Sequence, residues 1–292
     1  MKQILLIGYD GQVGWELRRT LAPLGPLTAV CYPAIDFAKP DAVRRLVRDV
    51  RPDLIVNAAA YTAVDKAETE PDLARQLNAV APGLLAEEAR QLGAGLVHYS
   101  TDFVFDGRKR TPYTEADAPN PLGVYARTKL EGDQAVAASG AAHLIFRLAW
   151  LYGRRGSNFL LTMQRLAAAG KPLRVVSDQV GCPTWCRTVA EVTAAALAAV
   201  AAPRAPFSLR EVSGLYHAVC AGATSWHGFA RAILPREVPV QPITTAEFPS
   251  PVERPAYSVL DCTRLRLTFG LTLPPWEEAL RLCLESDEPR PR

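Results

Sequence analysis

Short apolar runs alternate with longer amphipathic segments through the first half of the chain. The runs have the length and β-branched content of buried strands, and the segments between them repeat apolar residues at helical spacing. The predicted strands are Gln3–Ile7, Leu27–Tyr32, Leu54–Asn57, Gly95–Ser100 and His143–Leu148, and the predicted helices are Gln12–Leu21, Pro40–Val50, Asp72–Leu92 and Tyr125–Ser139. This alternation predicts an α/β fold with a parallel sheet covered on both faces.

Right-handed crossovers between such strands give a doubly wound, Rossmann-type sheet. Ligands bind such a sheet outside the carboxyl ends of its strands. Four segments should meet at that edge, because each begins where a predicted strand ends: residues 8–14, 57–62, 100–105 and 148–152.

The pattern loosens after about Arg154. Asn158–Gly170 and Thr188–Val200 keep helical spacing and Leu215–Cys220 resembles a late strand, but prolines become frequent from Thr224 onward. We therefore expect two domains and a short tail. They are a dinucleotide-binding domain in residues 1–155 and 184–222, a smaller, irregular α/β substrate domain in residues 156–183 and 223–285, and a frayed tail in residues 286–292.

A glycine-rich turn, Gly-Tyr-Asp-Gly-Gln-Val-Gly, directly follows the first predicted strand. Gly8 and Gly11 allow backbone N–H groups to approach a pyrophosphate, and Gly14 lets the next helix pack closely on the strand. The N-terminus of that helix directs partial positive charge at the phosphates. The context predicts a dinucleotide site that includes Gln12 and Val13; a βα turn without a ligand is the alternative.

The second predicted strand ends at Tyr32 without the acidic residue that would bind the 2′-hydroxyl of an adenosine ribose. This absence permits a 2′-phosphate, so NADPH is the expected cofactor, and NADH stays open. Arg18 and Arg19 either serve a phosphate or are solvated. Asp36 and Phe37 either flank the adenine or form a plain turn.

Tyr125 and Lys129 lie four residues apart at the start of a predicted helix. Residues at this spacing share one helix face, with Cβ atoms about 6 Å apart. An ammonium beside a phenol stabilises the phenolate, so the pair predicts a tyrosine pKa below its usual value of about 10. Such a phenol is a good proton donor to a developing alkoxide near neutral pH. Chance spacing is the alternative.

The composition of the chain mainly excludes certain classes of partner and site. The chain has 292 residues and a net charge of +3 without a basic stripe, which argues against nucleic acid as the partner. No apolar run reaches membrane-spanning length and the start lacks a signal-peptide pattern, so we expect no membrane partner and a cytoplasmic location. Cys182 and Cys186 lie four apart, but no second pair or histidine cluster completes a metal site.

Together these motifs resemble the extended short-chain dehydrogenase/reductase family. The glycine triple, Asn57-Ala-Ala-Ala60, Tyr99-Ser-Thr-Asp102 and the Tyr125–Lys129 pair fall in that family's order. Longer strings, such as the thirteen residues from Val56 to Glu68, are similar to its nucleotide-sugar 4-keto reductases, and the resemblance extends over nearly the whole chain.

The resemblance implies hydride transfer from a nicotinamide to C4 of a 4-keto sugar nucleotide. Tyr125 would protonate the carbonyl oxygen, and Lys129 would lower the pKa of Tyr125 and hold the nicotinamide ribose. Thr101 would hydrogen-bond the same oxygen, with Ser100 as its rival. Its neighbour Asp102, a further substrate-binding candidate, should point elsewhere. The small residues expected to line the cofactor channel are Ala58, Ala59, Ala60 and Thr62.

The other candidates for substrate binding also depend on the resemblance. Trp150 resembles the family's sugar-stacking tryptophan, with core packing as the alternative. Arg254 would contact the substrate phosphates bidentately, with simple solvation as the alternative. Val64 and Asp65 either contact the substrate or belong to a charge cluster at a helix start. Asn78 either ties the loops of the sheet edge together or is exposed.

Two other functions stay open. An epimerase or dehydratase would use the same scaffold, but a dehydratase needs an added acid/base pair near Thr101, and no Glu follows Asp102. A non-catalytic NADP-binding regulatory subunit would keep a similar Tyr and Lys. Family members often use Mg²⁺ near a dimer contact, and Glu16 matches one such position, so Mg²⁺ and a homodimer stay open.

Overall fold

The structure, a computed structural model, describes residues 3–202 and 208–286. Its strands in chain order are β1 (Ile4–Ile7), β2 (Leu27–Val30), β3 (Leu54–Asn57), β4 (Gly95–Thr101), β5 (Ala142–Leu148), β6 (Leu151–Tyr152), β7 (Leu173–Val176), β8 (Val180–Gly181), β9 (Thr184–Trp185), β10 (Gly214–His217), β11 (Thr224–Ser225) and β12 (Val240–Ile243). Six of them form a central, entirely parallel sheet in the order β10-β5-β4-β3-β1-β2, and the other six form two-stranded pairs. The predicted Rossmann-type α/β fold is confirmed.

Helices connect the strands and cover the sheet. They are α1 (Gln12–Leu21), α2 (Pro40–Val50), α3 (Val64–Ala67), α4 (Pro71–Arg75), α5 (Ala81–Leu92), α6 (Val124–Ala138), α7 (Phe159–Ala168), α8 (Cys186–Ala201), α9 (Trp226–Ile233), α10 (Thr263–Phe269) and α11 (Trp276–Glu285). Apart from Ser286, the predicted tail lies outside the described residues. Among the described helices, none is both long enough and apolar enough to cross a membrane.

The central strands are buried on both faces because alternate side chains enter two separate cores. In β1, Ile4 and Leu6 pack in the core that also contains Leu17 of α1. Leu5 and Ile7 pack in the opposite core, which is formed with α2 and α5. This two-sided burial explains why the strands are continuous apolar runs in the sequence.

The predicted helix Asp72–Leu92 differs from the observed one, because a π turn at Gln76–Val80 separates α4 from α5. Proline at position 82 has no N–H to donate to the carbonyl of Asn78, so a regular α-turn cannot be completed there. Asn78 is fully buried at this turn. Its Oδ1 accepts a hydrogen bond from Tyr61 N at 2.9 Å. Its Nδ2 donates to Tyr61 O at 3.0 Å and to the hydroxyl of Thr128 at 3.2 Å. Asn78 therefore ties the segment after β3 to α6.

Close packing of α1 on the glycine turn fixes the first strand–helix unit. A Cβ atom on Gly14 would lie 2.0 Å from the carbonyl oxygen of Gly8. Gly8 itself has a φ of +81° and lies against the backbone of Ala59. A Cβ atom on Gly11, in contrast, would meet only the carbonyl oxygen of Gly8 at 3.5 Å.

We expect Gly14→Ala to lower the free energy of unfolding by about 3 kcal/mol, the upper end of over-packing effects, because the helix would have to move off the turn. Gly11→Ala is the matched control. Its backbone, with φ −70° and ψ 168°, suits alanine, so its stability should stay within about 0.5 kcal/mol of the parent chain. Urea unfolding of the three chains gives the comparison, and equal stabilities of the two variants would contradict the packing argument.

Candidate active site

A cleft of about 630 Å³ opens at the carboxyl edge of the sheet, next to the glycine turn. This main cleft has the size of a small-molecule or cofactor site. Ten residues predicted to bind a cofactor line it: Gly8, Gly11, Gln12, Val13, Asp36, Phe37, Ala58, Ala59, Ala60 and Thr62. Gly14 is not in the lining, because it lies buried beneath the turn, where the helix packs on the strand.

The N-terminus of α1 points its first backbone N–H groups toward the main cleft. Gly11 is the N-cap, and no side chain caps the helix end. Because the first N–H groups of a helix have no partner within it, this end suits the pyrophosphate of a dinucleotide. Asn158, the N-cap of α7, donates to Gln12 Oε1 at 2.8 Å and links the loop after β6 to the same helix end. The residues of the cleft therefore fit a nicotinamide dinucleotide.

Several residues of the main cleft escaped sequence reasoning. Cys31 and Tyr32 follow β2 and could have been found, since the rule that ligands bind beyond strand ends applies to them too. Leu73 and Leu77 come from the helical segment after α3, where nothing in the pattern marks a ligand contact. Further unpredicted lining residues are Ile7, Asp10, Ile35, Ala38, Leu151, Gly156 and Ser157.

Tyr125 lies in the first turn of α6 and lines a second, smaller cleft together with Val64, Phe103 and Val252. The carboxylate of Glu68 accepts a hydrogen bond from Val124 N at 2.7 Å and so fixes the start of this helix. The ring of Phe103 meets the ring of Tyr125 edge-on, with centroids 6.1 Å apart.

Thr101, at the carboxyl end of β4, is the hydroxyl residue that acts on the phenol of Tyr125, and it lowers the pKa of that phenol against the larger effect of burial. The hydroxyl of its neighbour Ser100 is bound elsewhere, because it donates to Asp133 Oδ2 at 2.6 Å. Of the two rivals, the structure therefore brings Thr101 to Tyr125.

Lys129 does not act on Tyr125 as the spacing predicts. Its ammonium, 2% exposed, donates to the carbonyl oxygen of Tyr99 at 2.5 Å and lies 3.4 Å from His98 Nε2. Burial lowers the pKa of Lys129 to about 8. Burial raises the pKa of Tyr125 to about 12, and the carboxylates of Asp102 and Asp133 contribute in the same direction. The expected acidified phenol is wrong for this structure, because burial has the largest effect on the pKa of Tyr125 and raises it.

Asp102 is 2% exposed, and its Oδ1 lies 3.2 Å from the hydroxyl of Thr101. The expectation that it points elsewhere is therefore wrong: its carboxyl lies beside the Thr101–Tyr125 pair. Burial raises the pKa of Asp102 to about 7, although hydrogen bonds from Ser258 and Thr101 offset part of this effect.

The substrate candidates at the end of β5 and on the opposite loop already have partners. Trp150 stacks on Trp226, with ring centroids 3.5 Å apart and planes 4° apart. Its φ of +44° lies in the left-handed region that a tryptophan rarely adopts. Arg254 Nη2 donates to both carboxylate oxygens of Asp65, at 2.9 and 3.0 Å. Two residues predicted to bind substrate thus bind each other here.

Glu16, the position considered for Mg²⁺, has two cationic neighbours. Its Oε2 pairs with Arg19 and accepts from Arg187 Nε at 3.1 Å. We assign no metal to this carboxylate, because its charge is balanced within the protein.

A family model described as the RmlD substrate binding domain matches residues 1–288 of the chain. The chain belongs to the RmlD substrate binding domain family. A dTDP-4-dehydrorhamnose reductase from Burkholderia thailandensis is 45% identical over 293 residues, which cover 97% of this chain and 98% of the relative. One from Salmonella typhimurium is 43% identical, with 96% of each chain covered.

The solved structures agree with this membership. A dTDP-4-dehydrorhamnose reductase from Bacillus anthracis, in complex with NADP, superposes with a TM-score of 0.88 at 34% identity and covers 97% of this chain and 99% of its own. The family resemblance seen in the sequence is confirmed.

We expect Asp102→Asn in this RmlD-family chain to be more stable than its parent above pH 7. The carboxyl titrates near pH 4 when unfolded but near 7 when folded. The folded chain therefore binds the extra proton between these values, and the stability of the parent falls as pH rises from about 4 to about 7. The variant escapes this loss, so its advantage should grow across the window to roughly 2–4 kcal/mol.

Urea unfolding at pH 4.5 and pH 8 measures this difference. Asp106→Asn is the control with the opposite sign, because hydrogen bonds from Asn120 and the backbone of Arg108 lower the pKa of Asp106. That variant should lose stability at pH 8. A pH-independent difference for Asp102→Asn would contradict the raised pKa.

Proposed function

We propose that this chain reduces the C4 keto group of dTDP-4-dehydro-L-rhamnose to dTDP-L-rhamnose with NADPH as reductant. The observation that carries the proposal is the placement of Thr101, at the end of β4, beside Tyr125, in the first turn of α6. β4 neighbours β3, and the segment after β3 lines the main cleft beside the glycine turn. The curated relatives at 45% and 43% identity are named for this reaction, and one similar structure holds NADP.

The residues divide the chemistry of a carbonyl reduction between them. When bound, NADPH supplies the hydride. Tyr125 keeps its proton across neutral pH, because its pKa is about 12, and gives it to the carbonyl oxygen as negative charge develops there. Thr101 stabilises the same oxygen by a hydrogen bond. Lys129 holds the nicotinamide ribose through its ammonium.

We propose the following binding residues and domains, and their places in the fold support the assignment. The turn Gly8–Gly14, with Asp36 and Phe37 and the segment 58–62, binds the cofactor, and residues 1–155 and 184–222 form its domain. Residues 156–183 and 223–285 form the substrate domain. For the sugar nucleotide we propose Val64, Asp65, Thr101, Asp102, Trp150 and Arg254. A homodimer and a cytoplasmic location stay predictions.

Turnover tests the function directly. The chain is mixed with dTDP-4-dehydro-L-rhamnose and NADPH, and the absorbance of the reduced nicotinamide is followed. A fall in absorbance with formation of dTDP-L-rhamnose is expected. Binding of NADPH without any turnover by folded protein would favour a regulatory subunit instead.

We expect Tyr125→Phe to lose about 10²–10⁴-fold in kcat, because it removes the proton donor while keeping the ring. Its NADPH affinity should stay within a few-fold of the parent. Phe103→Tyr is the control, because it adds a hydroxyl in the same cleft and leaves the proposed proton donor, Tyr125, in place. Near-full activity of Tyr125→Phe would mean that the proton comes from another group.

The choice of NADPH over NADH rests on the residues after β2. Cys31 stands there instead of a carboxylate and lines the main cleft. The guanidinium of Arg18 lies over the ring of Tyr9 at 5.1 Å and over that of Trp15 at 5.0 Å. An arginine near the adenosine ribose accommodates a 2′-phosphate. We propose that Arg18 provides this charge.

Arg18→Ala should weaken NADPH binding about 5- to 20-fold and leave NADH binding nearly unchanged, because charge-assisted hydrogen bonds contribute about 1.5–3 kcal/mol, less at an exposed site. Arg19→Ala is the matched control, since Arg19 is paired with Glu16 on the same helix. Fluorescence titration with both cofactors measures the ratio. Equal losses for NADH and NADPH would contradict a 2′-phosphate role.

A further inference from the structure

A buried carboxylate lies on the same face of α6 as the two proposed catalytic residues of that helix. Tyr125, Lys129 and Asp133 follow one another at intervals of four residues, so they share one helix face. Lys129 is 2% exposed and Asp133 is 3% exposed. The proposed reaction uses the first two residues and gives Asp133 no part. A buried carboxylate needs a reason, because burial of an unpaired charge is costly.

Asp133 lies beside the cation of Arg147 and one helical turn from Lys129 on α6. Its Oδ2 accepts from Ser100 Oγ at 2.6 Å and lies 3.6 Å from Arg147 Nε. Its Oδ1 has no hydrogen-bond partner among the described residues and lies 3.9 Å from His98 Nε2. Its charge raises the pKa of Lys129, against the opposite effect of burial.

The hydrogen bonds of Asn57 fix the proton on His98. Asn57 Oδ1 accepts from Ala59 N at 3.2 Å, so its Nδ2 is the donor to His98 Nδ1 at 3.3 Å. A neutral imidazole then carries its proton on Nε2, the atom that faces Lys129 and Asp133. Burial and the charge of Lys129 hold the pKa of His98 well below its usual value. His98 therefore offers Lys129 no negative charge.

The other charged neighbours do not favour the ammonium either. Arg147, from β5, is a cation only 3% exposed, and its nearest partners are Asp133 and Glu115. Asp102, from the end of β4, lies beside Thr101 and acts on Tyr125. Among these groups, Asp133 is the one whose charge supports a protonated Lys129.

We propose that Asp133 is a positioning residue that keeps Lys129 charged, so that the ammonium remains able to hold the cofactor ribose at physiological pH. The proposal rests on the proposed function, because it gives Asp133 its role through Lys129. Ser100 holds the carboxylate in place, and Arg147 balances its charge from the other side.

The pH dependence of NADP⁺ binding, followed by quenching of tryptophan fluorescence, tests the proposal without turnover. In the parent chain, affinity should fall as pH rises through about 8, because Lys129 loses its proton there. Asp133→Asn keeps the shape of the side chain and removes its charge. The midpoint of the pH dependence should then move down by about 1–2 pH units, which is the usual effect of losing a nearby opposite charge.

Matched variants separate charge from structure. Asp133→Glu keeps a carboxylate at this position, so its midpoint should lie within about 0.5 pH unit of the parent value. Ser100→Ala removes only a hydrogen bond to the carboxylate and keeps the charge, so its midpoint should also lie within about 0.5 pH unit of the parent value. In a Lys129→Met background the midpoint near 8 should vanish, and adding Asp133→Asn should then change nothing further. An unmoved midpoint in folded Asp133→Asn would overturn the proposal.

Arg147→Met reports on the same cluster from its cationic side if Asp133→Asn fails to fold. Without the positive charge of Arg147, the charge of Asp133 acts on Lys129 alone, so the midpoint of the pH dependence should rise. A midpoint that stays or falls would overturn the proposal. Absence of NADP⁺ binding by the parent chain would overturn the proposed function together with this inference. Binding with an unresponsive midpoint would overturn the inference alone.

Discussion

The approach of α1 to the glycine turn is the contact on which the rest of the site depends. Gly14 can lie against the carbonyl of Gly8 only because Gly14 has no side chain. This packing sets the direction of the helix and so directs its uncapped N-terminus toward the main cleft. Gly8 also lies against the backbone of Ala59 and brings the segment after β3 to the same edge. Three chain segments are thus fixed by the absence of a few methyl groups.

Burial then decides the chemistry of the groups placed at that edge. The same loss of solvent raises the pKa of Tyr125 and Asp102 and lowers that of Lys129. Each shift favours the neutral form, as desolvation requires. In the proposed reaction Tyr125 is consequently a proton donor that stays protonated until negative charge develops on the carbonyl oxygen beside it. The charge of Asp133 acts against this trend, because it raises the pKa of Lys129.

Much of the fold could be predicted from the sequence because two local patterns, the apolar runs of the strands and the spacing of the glycines, determine it. The apolar runs of β1, β3 and β5 and the glycine spacing after β1 depend on neighbours within a few residues. The π turn at Gln76–Val80 was missed, since it arises where Proline 82 meets an inward-facing Asn78. Predicted strand ends also located about half of the lining of the main cleft, whereas Leu73 and Leu77 reach it from a helical segment that carries no such signal.

The side-chain partners were the harder part. Spacing placed Tyr125 and Lys129 on one helix face but did not show that the amine turns to the carbonyl of Tyr99. That direction depends on β4, which is thirty residues away in sequence. The Asp65–Arg254 pair joins residues 189 positions apart, beyond the reach of any local pattern. Depth of burial, which reverses the expected pKa shift of Tyr125, is likewise a property of the assembled fold.

That Asp65–Arg254 pair has a consequence for the way an anionic ligand enters. Both side chains are partly exposed, at 49% and 28%, and an ion pair in such a setting contributes only about 0–1 kcal/mol. In the proposed function, the guanidinium is therefore already oriented for the diphosphate of the sugar nucleotide, which would exchange for the carboxylate of Asp65 at little cost in free energy. An arginine that is already held in one orientation loses less rotamer entropy when a ligand binds. The weak pair with Asp65 would therefore favour a stronger contact between Arg254 and the ligand.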